Sequence, residues 1–174
     1  KLNAISMYTS KIADDQPKNP DLSKVKEIAH EAIDDLSYML SNISVKQVEE
    51  HSLHYAVHRL FAFLPESMTP DIAFELEEEK LSVVIKMQLY RIIQEVLNNA
   101  SKYSKATNID MELIQQGSIV SLKVSDNGVG FDPRKVKGNG LQNITHRVKK
   151  SNGLIDISSE VGKGTSVSIK MPIN

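Results

Sequence analysis

Asp126-Asn127-Gly128-Val129-Gly130-Phe131-Asp132 comes directly after Ile119-Val120-Ser121-Leu122-Lys123-Val124, and eight residues past Gly130 stands Gly138-Asn139-Gly140-Leu141. The alternation before the glycines predicts a strand. The second glycine pair opens a short helical pattern from Leu141 to Lys150, ending near Asn152-Gly153. Gly-x-Gly at a helix start suits phosphate, because bare backbone N–H groups and the positive helix end both face the anion. Two familiar phosphate loops do not fit. A dinucleotide fingerprint needs a third glycine where Asn143 stands, and a Walker A loop ending at Gly162-Lys163 needs one where Ile157 stands. Two tight turns remain as the plain structural alternative. The helix upstream decides between them.

Residues from about Val83 to Tyr103 predict one long helix. On a wheel of about 100° per residue, Glu95, Asn98, Asn99 and Lys102 share one face. Ile85, Leu89, Ile92, Val96 and Ala100 lie around the other side, as a core face should. A carboxylate, two amides and an ammonium could be a solvated face. They also suit a hard cation held through oxygen beside phosphates, with the lysine meeting residual phosphate charge. Joined to the two glycine pairs, in this order, the stripe favours a phosphate site.

Outward from this centre the chain reads as α plus β. Ile72 to Glu77, Ile109 to Ile114 and Ile119 to Val124 predict strands, the last two around Gln116-Gly117. Leu154 to Ser159 and Thr165 to Met171 predict a final hairpin around Gly162-Lys163-Gly164. Before Pro65 the texture is helical. Leu2, Ile5, Thr9 and Ile12 predict a first helix, broken by the segment from Asp14 to Pro20. Leu22, Val25, Ala29, Ala32, Leu36, Met39 and Ile43 step by three and four, and Ile28, Ile33 and Leu40 widen the stripe. So broad a face predicts a dimeric four-helix bundle. Ser44-Val45-Lys46-Gln47 resembles a capping box, and Leu53, Val57, Leu60, Phe61 and Leu64 predict a further helix up to Pro65. The domain boundary is placed there, giving 1–65 and 66–174.

The chain has 174 residues, with 21 Lys and Arg against 22 Asp and Glu, so no basic excess marks a nucleic-acid binder. Absent cysteine excludes disulfides, a thiol nucleophile and thiolate metal ligands. No apolar run approaches the roughly 20 residues needed to span a bilayer. Lys1, not a methionine, comes first, which reads as a stretch cut from a longer chain. Three sequons, at Asn42, Asn99 and Asn143, are read as chance.

The boxes together resemble the ATP-binding domain of sensor histidine kinases, over about Phe74 to Pro172. That fold is shared with type II topoisomerases, HSP90-class chaperones and mismatch-repair ATPases. The matching residues are Glu95-Val96-Leu97-Asn98-Asn99 followed by Lys102, then Asp126-Asn127-Gly128-Val129-Gly130. Gly138-Asn139-Gly140-Leu141, continuing to Arg147, and Gly162-Lys163-Gly164-Thr165 complete the set. The wording from Leu89 to Glu95 is most similar to nitrate-sensing and membrane-thermosensing kinases, and the short gap between Gly130 and Gly138 agrees.

The resemblance implies a two-layer α/β sandwich of the Bergerat type, preceded by a helical hairpin that dimerises. It implies a protein-histidine kinase with Mg²⁺ and ATP. Asp126 would accept from the adenine amino group, with Thr165 near the same edge. Asn99 would ligate Mg²⁺, Glu95 would orient the attacking group or a water, and Lys102 would approach the phosphates. Asn98, Gly128, Gly130, Gly138, Gly140 and Leu141 would complete the nucleotide site, the last glycines flanking a lid. Tyr103 stands where that subfamily has histidine. The phosphoacceptor pattern is absent, and Lys1 to Ile5 resembles the stretch that comes immediately after that pattern, so the acceptor is expected just upstream. His30-Glu31 is an alternative acceptor, but Asp35 stands where glutamine should be. His51, His54 and His58 have zinc-like spacing without a fourth ligand, and a wet helical surface is favoured. The implied partners are a second copy through the N-terminal helices and the receiver domain of a response regulator, with no nucleic acid bound. The portion would be cytoplasmic, with membrane attachment only through upstream segments. An ATPase using Glu95 to activate water and a non-catalytic dimeric scaffold are the alternatives.

Overall fold

The computed structural model describes residue 48 and residues 51–132 and 139–173. Contacts divide the chain into residues 1–46 and 47–174, and the described residues belong to the second unit. The expected helical hairpin and four-helix bundle, His30 and Gly138 lie outside the described residues.

Helix α1 spans Leu53–Phe61 and strand β1 spans Thr69–Glu75. After a turn at Glu78–Lys80, helix α2 runs Val83–Asn99 and widens into a π-helical turn, Ala100–Ser104. Strands β2, Asn108–Gln116, and β3, Ile119–Asp126, form a hairpin. Helix α3 spans Asn139–Lys150, and strands β4, Leu154–Glu160, and β5, Gly164–Pro172, come last.

The sheet order is β1-β2-β3-β5-β4. β1 runs parallel to β2, with α2 as the crossover, and every other pair is antiparallel. Alternation sets the two layers. Ile109, Met111 and Leu113, Val120, Leu122 and Val124, and Val167, Ile169 and Met171 are all buried. Between them Asp110, Glu112, Lys123 and Lys170 are exposed, so one face of the sheet meets the helices and the other meets water. From the helices, Leu89, Ile92, Ile93, Ile144 and Val148 join the same core cluster. The expected α plus β sandwich is the observed fold.

Three details differ from the sequence reading. β1 starts at Thr69, before the expected Ile72, and includes Pro70. An edge strand tolerates a residue that cannot donate, and β1 is an edge. α1 ends at Phe61, short of Leu64, and Leu53, Ala56, Val57 and Phe61 are buried in the core of the sheet unit. Its start is capped twice: Ser52 Oγ accepts from Tyr55 N, and the Glu78 carboxylate accepts from Leu53 N at 2.7 Å and His54 N at 2.8 Å. Finally, α2 does not stay α-helical to Tyr103. No helix among the described residues is long and apolar enough to cross a membrane.

Candidate functional site

α2 begins after Ser82, whose hydroxyl accepts from Ile85 N at 3.3 Å. Its apolar face locks it onto the sheet, which fixes where the polar stripe points. Glu95 and Asn99 are half-buried and meet, Asn99 Nδ2 lying 3.4 Å from Glu95 Oε1. That contact leaves the Asn99 carbonyl oxygen available to a hard cation. Asn98 and Lys102 are exposed. Lys102 sits in the π-helical turn, where the wheel of a regular helix no longer applies. Tyr103 is 70% exposed, so its ring fills no interior gap.

Ser104 explains the turn. Its hydroxyl donates to Ala100 O at 2.7 Å and accepts from Ala106 N at 3.0 Å, and Lys105 comes next with φ 54°. Its carbonyl accepts from Val129 N at 2.7 Å. The end of α2 is thereby tied to the loop after β3. Gly128 lies over the same carbonyl, and a Cβ there would collide with Ser104 O.

Asp126 ends β3 and pairs with Thr165 at the start of β5. Its Oδ1 accepts from Gly128 N at 2.8 Å. Burial pushes the carboxyl up from its ordinary value, and backbone bonds from Gly128 and Thr165 oppose that rise. Thr165 Oγ1 lies 3.1 Å from Ser159 Oγ. Ser159 Oγ accepts from Phe131 N at 2.9 Å and lies 3.0 Å from Gly164 O. Asn127 serves the fold instead, its Oδ1 accepting from Thr107 N and Asn108 N, both at 2.9 Å, which fixes the start of β2.

α3 approaches α2 closely at Gly140, where a Cβ would meet Glu95 Oε1 and the Asn99 amide. Leu141, next in line, packs half-buried on the core. The structure thus brings Glu95, Asn99 and Gly140 together, and separately Asp126, Gly128, Gly130 and Thr165. Ser104, Asn127 and Ser159, which position them, were not among the sequence candidates. Asn127 carried no local signal, because its bonds reach Thr107 and Asn108, 20 and 19 residues away. Ser104 and Ser159 carried none beyond their polarity in apolar surroundings.

His51 precedes the helix and stacks on Tyr55 at 4.8 Å, whereas His54 and His58 lie 4.4 Å apart. No group of three or more metal-capable side chains occurs among the described residues.

Residues 85–174 match the family described as histidine kinase-, DNA gyrase B- and HSP90-like ATPases. The chain is 31% identical over 181 residues to sensor histidine kinase LiaS of Bacillus subtilis, covering 99% of this chain and 50% of that protein. It is 26% identical to sensor protein VraS of Staphylococcus saprophyticus, over 100% of this chain and 52% of that one. The chain therefore spans about half the length of these curated relatives. A histidine kinase domain from a blue-light activated kinase of Erythrobacter litoralis superposes with a TM-score of 0.65 at 13% identity, covering 98% of this chain and 96% of that one.

Proposed function

Because the chain belongs to the histidine kinase-, DNA gyrase B- and HSP90-like ATPases, we propose that it binds Mg²⁺-ATP between Asp126 and the α2 stripe and phosphorylates a histidine. The observation that carries this is the contact of Gly140 with Glu95 and Asn99, which sets a glycine-opened helix start against an oxygen-rich stripe. Asp126, half-buried beside Thr165, accepts from the adenine amino group. Guanine offers an acceptor there and is refused. Asn99 supplies an oxygen donor of the kind that Mg²⁺ prefers. The ion, when bound, neutralises phosphate charge. Asn98 and Lys102, exposed at the rim, meet the phosphates from solvent. Gly128 and Gly130 let backbone approach the nucleotide, Gly138 and Gly140 flank the lid, and Leu141 completes the nucleotide site.

A neutral imidazole nitrogen attacks the γ-phosphorus. The bond to the ADP oxygen breaks as the P–N bond forms, ADP leaves with the oxygen's electron pair, and the second ring nitrogen passes its proton to solvent water. Glu95 orients the incoming ring. Catalysis is positioning and charge neutralisation. The acceptor histidine lies upstream of Lys1, and the phosphoryl group passes on to an aspartate of a response-regulator receiver domain. Residues before the sheet unit pair two copies, and the whole stretch works in the cytoplasm. The wording from Leu89 to Glu95 supports a kinase akin to the nitrate-sensing and thermosensing subfamily.

Hydrolysis by a water at Glu95 is the second reading. Similarity to a sensor histidine kinase over 99% of this chain, N-terminal part included, favours transfer over hydrolysis. The test is labelling with γ-labelled ATP. The 174-residue chain should bind ATP and take up no acid-labile phosphate. Adding the native residues before Lys1 should restore labelling, and changing the restored histidine to glutamine should abolish it. Labelling of the bare chain that His30→Gln removes would contradict the acceptor assignment.

A further inference from the structure

One helical turn before Glu95, on the same side of α2, stands Arg91. Its Nη1 donates to Gln94 Oε1 at 2.6 Å, and its guanidinium lies 5.7 Å from the Tyr90 ring centroid. Its Nη2 is buried and has no hydrogen-bond partner, and Gln88 Oε1, one turn earlier, is buried and unpartnered as well. Buried polar atoms are nearly always satisfied, so a pair of exceptions on one stripe needs a reason. Helix α3 brings a second guanidinium, Arg147 in its last turns. Gly140 packs against Glu95; Arg91 precedes Glu95 by one turn on α2, and Arg147 follows Gly140 by two turns on the same face of α3. Burial lowers the Arg91 pKa most, Tyr90 opposes, and the Arg147 charge lowers it further. Among the described residues neither arginine has a carboxylate partner, Glu95 included. Two guanidiniums set together with a spare buried donor and no anion are half of a binding site.

Position along α2 says which anion fits. The C-terminal end of α2 is tied to the Asp126 loop through Ser104. Moving back along the axis, about 6 Å for each four residues, come Asn99, then Glu95, then Arg91. With the base at Asp126 and the phosphates on the Asn99–Glu95 stripe, as proposed above, the terminal phosphate is the end farthest from the base. We infer that Arg91 and Arg147 together take the terminal phosphate of the nucleotide, so that this chain tells ATP from ADP by two guanidiniums beyond Glu95. Arginine suits the task, since its planar fork can hold two oxygens of one phosphate. The anion satisfies Nη2 and relieves the repulsion between the two cations. Gln88 Oε1 holds the arginine fork in its binding orientation once Arg91 turns towards the phosphate.

This inference rests on the ATP reading above, and its test separates the two. The 174-residue chain and its variants are titrated calorimetrically with Mg²⁺-ADP and with Mg²⁺-AMP-PNP, a non-transferable ATP analogue. Arg91→Gln should weaken the analogue by about tenfold or more while leaving ADP within about twofold, because only the last phosphate loses its charged bonds. Arg147→Gln, an exposed position, should shift the same ratio in the same direction, and it decides the matter if Arg91→Gln proves unfolded by circular dichroism. Arg91→Lys should fall between parent and Arg91→Gln. Equal weakening of both ligands, or no change in either, overturns the assignment and leaves the ATP reading standing. Unchanged nucleotide binding with lost labelling in the longer, acceptor-containing protein also overturns it, and assigns the pair to the acceptor segment. A parent that binds neither nucleotide overturns the ATP reading itself.

Discussion

At the end of the site proposed for the base, the Asp126 loop, Ser104, Ser159 and Gly164 are joined by bonds of 2.7 to 3.0 Å, most of them to backbone. At the end proposed for the phosphates, Glu95 and Asn99 share a single contact of 3.4 Å, and Arg91 carries an unpartnered buried nitrogen. One end is preformed and the other is short of partners. A base is a rigid, weakly charged object, so its pocket can be complete in advance. A triphosphate with its cation brings charge, and the groups that meet it stay unsatisfied until it arrives. Preformed groups lose little entropy on binding, so the base end should supply selectivity cheaply and the phosphate end most of the ligand-dependent change.

The largest effect should come from glycine replacements that probe this contrast. Gly128→Ala drives a Cβ into the Ser104 backbone carbonyl, which bonds hold in place. A loss of about 3 kcal/mol in urea unfolding is expected, the upper range for overpacking. Gly140→Ala meets the tip of the Glu95 side chain, which can swing aside. About 1 kcal/mol is expected there, with nucleotide affinity falling more than stability. Equal losses at the two glycines would mean that the two ends are equally rigid.

Ser104→Ala comes next. It removes the bonds to Ala100 O and Ala106 N and should cost about 1 kcal/mol. Adenosine binding should weaken with it, since the Val129 loop hangs from the same residue. A stability loss without any change at the base would separate the π-helical turn from the site.

Acid should also distinguish the ends. The Asp126 carboxyl titrates above its ordinary value of 3.8 because burial penalises its charge. Folding therefore takes up a proton between 3.8 and the raised value, so this group makes the fold more stable as pH falls through that window. Adenosine needs the ionised acceptor and should dissociate over the same window. Adenosine affinity that holds steady down to pH 3.8 would contradict the role of Asp126.

The smallest effect belongs to His58, away from the nucleotide. Burial first, and then the neighbouring His54, lower its pKa below 6.5. The unfolded chain then binds the proton more readily, so stability should fall slightly as pH drops below 6.5, until the lowered value is passed. His58→Gln should flatten the thermal midpoint over that range.

Much of this was legible in the sequence because it depends on local period. The alternation in Ile109–Ile114 and Ile119–Val124 set the hairpin, and the 3.6-residue stripe set the face of α2 that meets the core. Glu95 and Asn99 do meet, as their spacing of four predicts. What failed was non-local. The tie between the π-helical turn and the loop after β3 depends on Val129 N reaching Ser104 O from another part of the chain. The apolar residues of α1 announce a buried face without saying which core receives it. Pro70 reads as a loop unless one knows that β1 is an edge. Arg91 and Arg147 look like solvated charges until α2 and α3 are seen side by side.

The most direct measurement is one paired titration, adenosine against Mg²⁺-ATP, for the parent, Asp126→Asn and Asn99→Ala. Asp126→Asn should weaken both ligands alike, by about 1–3 kcal/mol, because the lesion is at the base edge that both share. Asn99→Ala should leave adenosine unchanged and weaken Mg²⁺-ATP, because only the phosphates and the cation reach it. If Asn99→Ala weakens both ligands equally, or Asp126→Asn weakens neither, the division into a base end and a phosphate end is wrong.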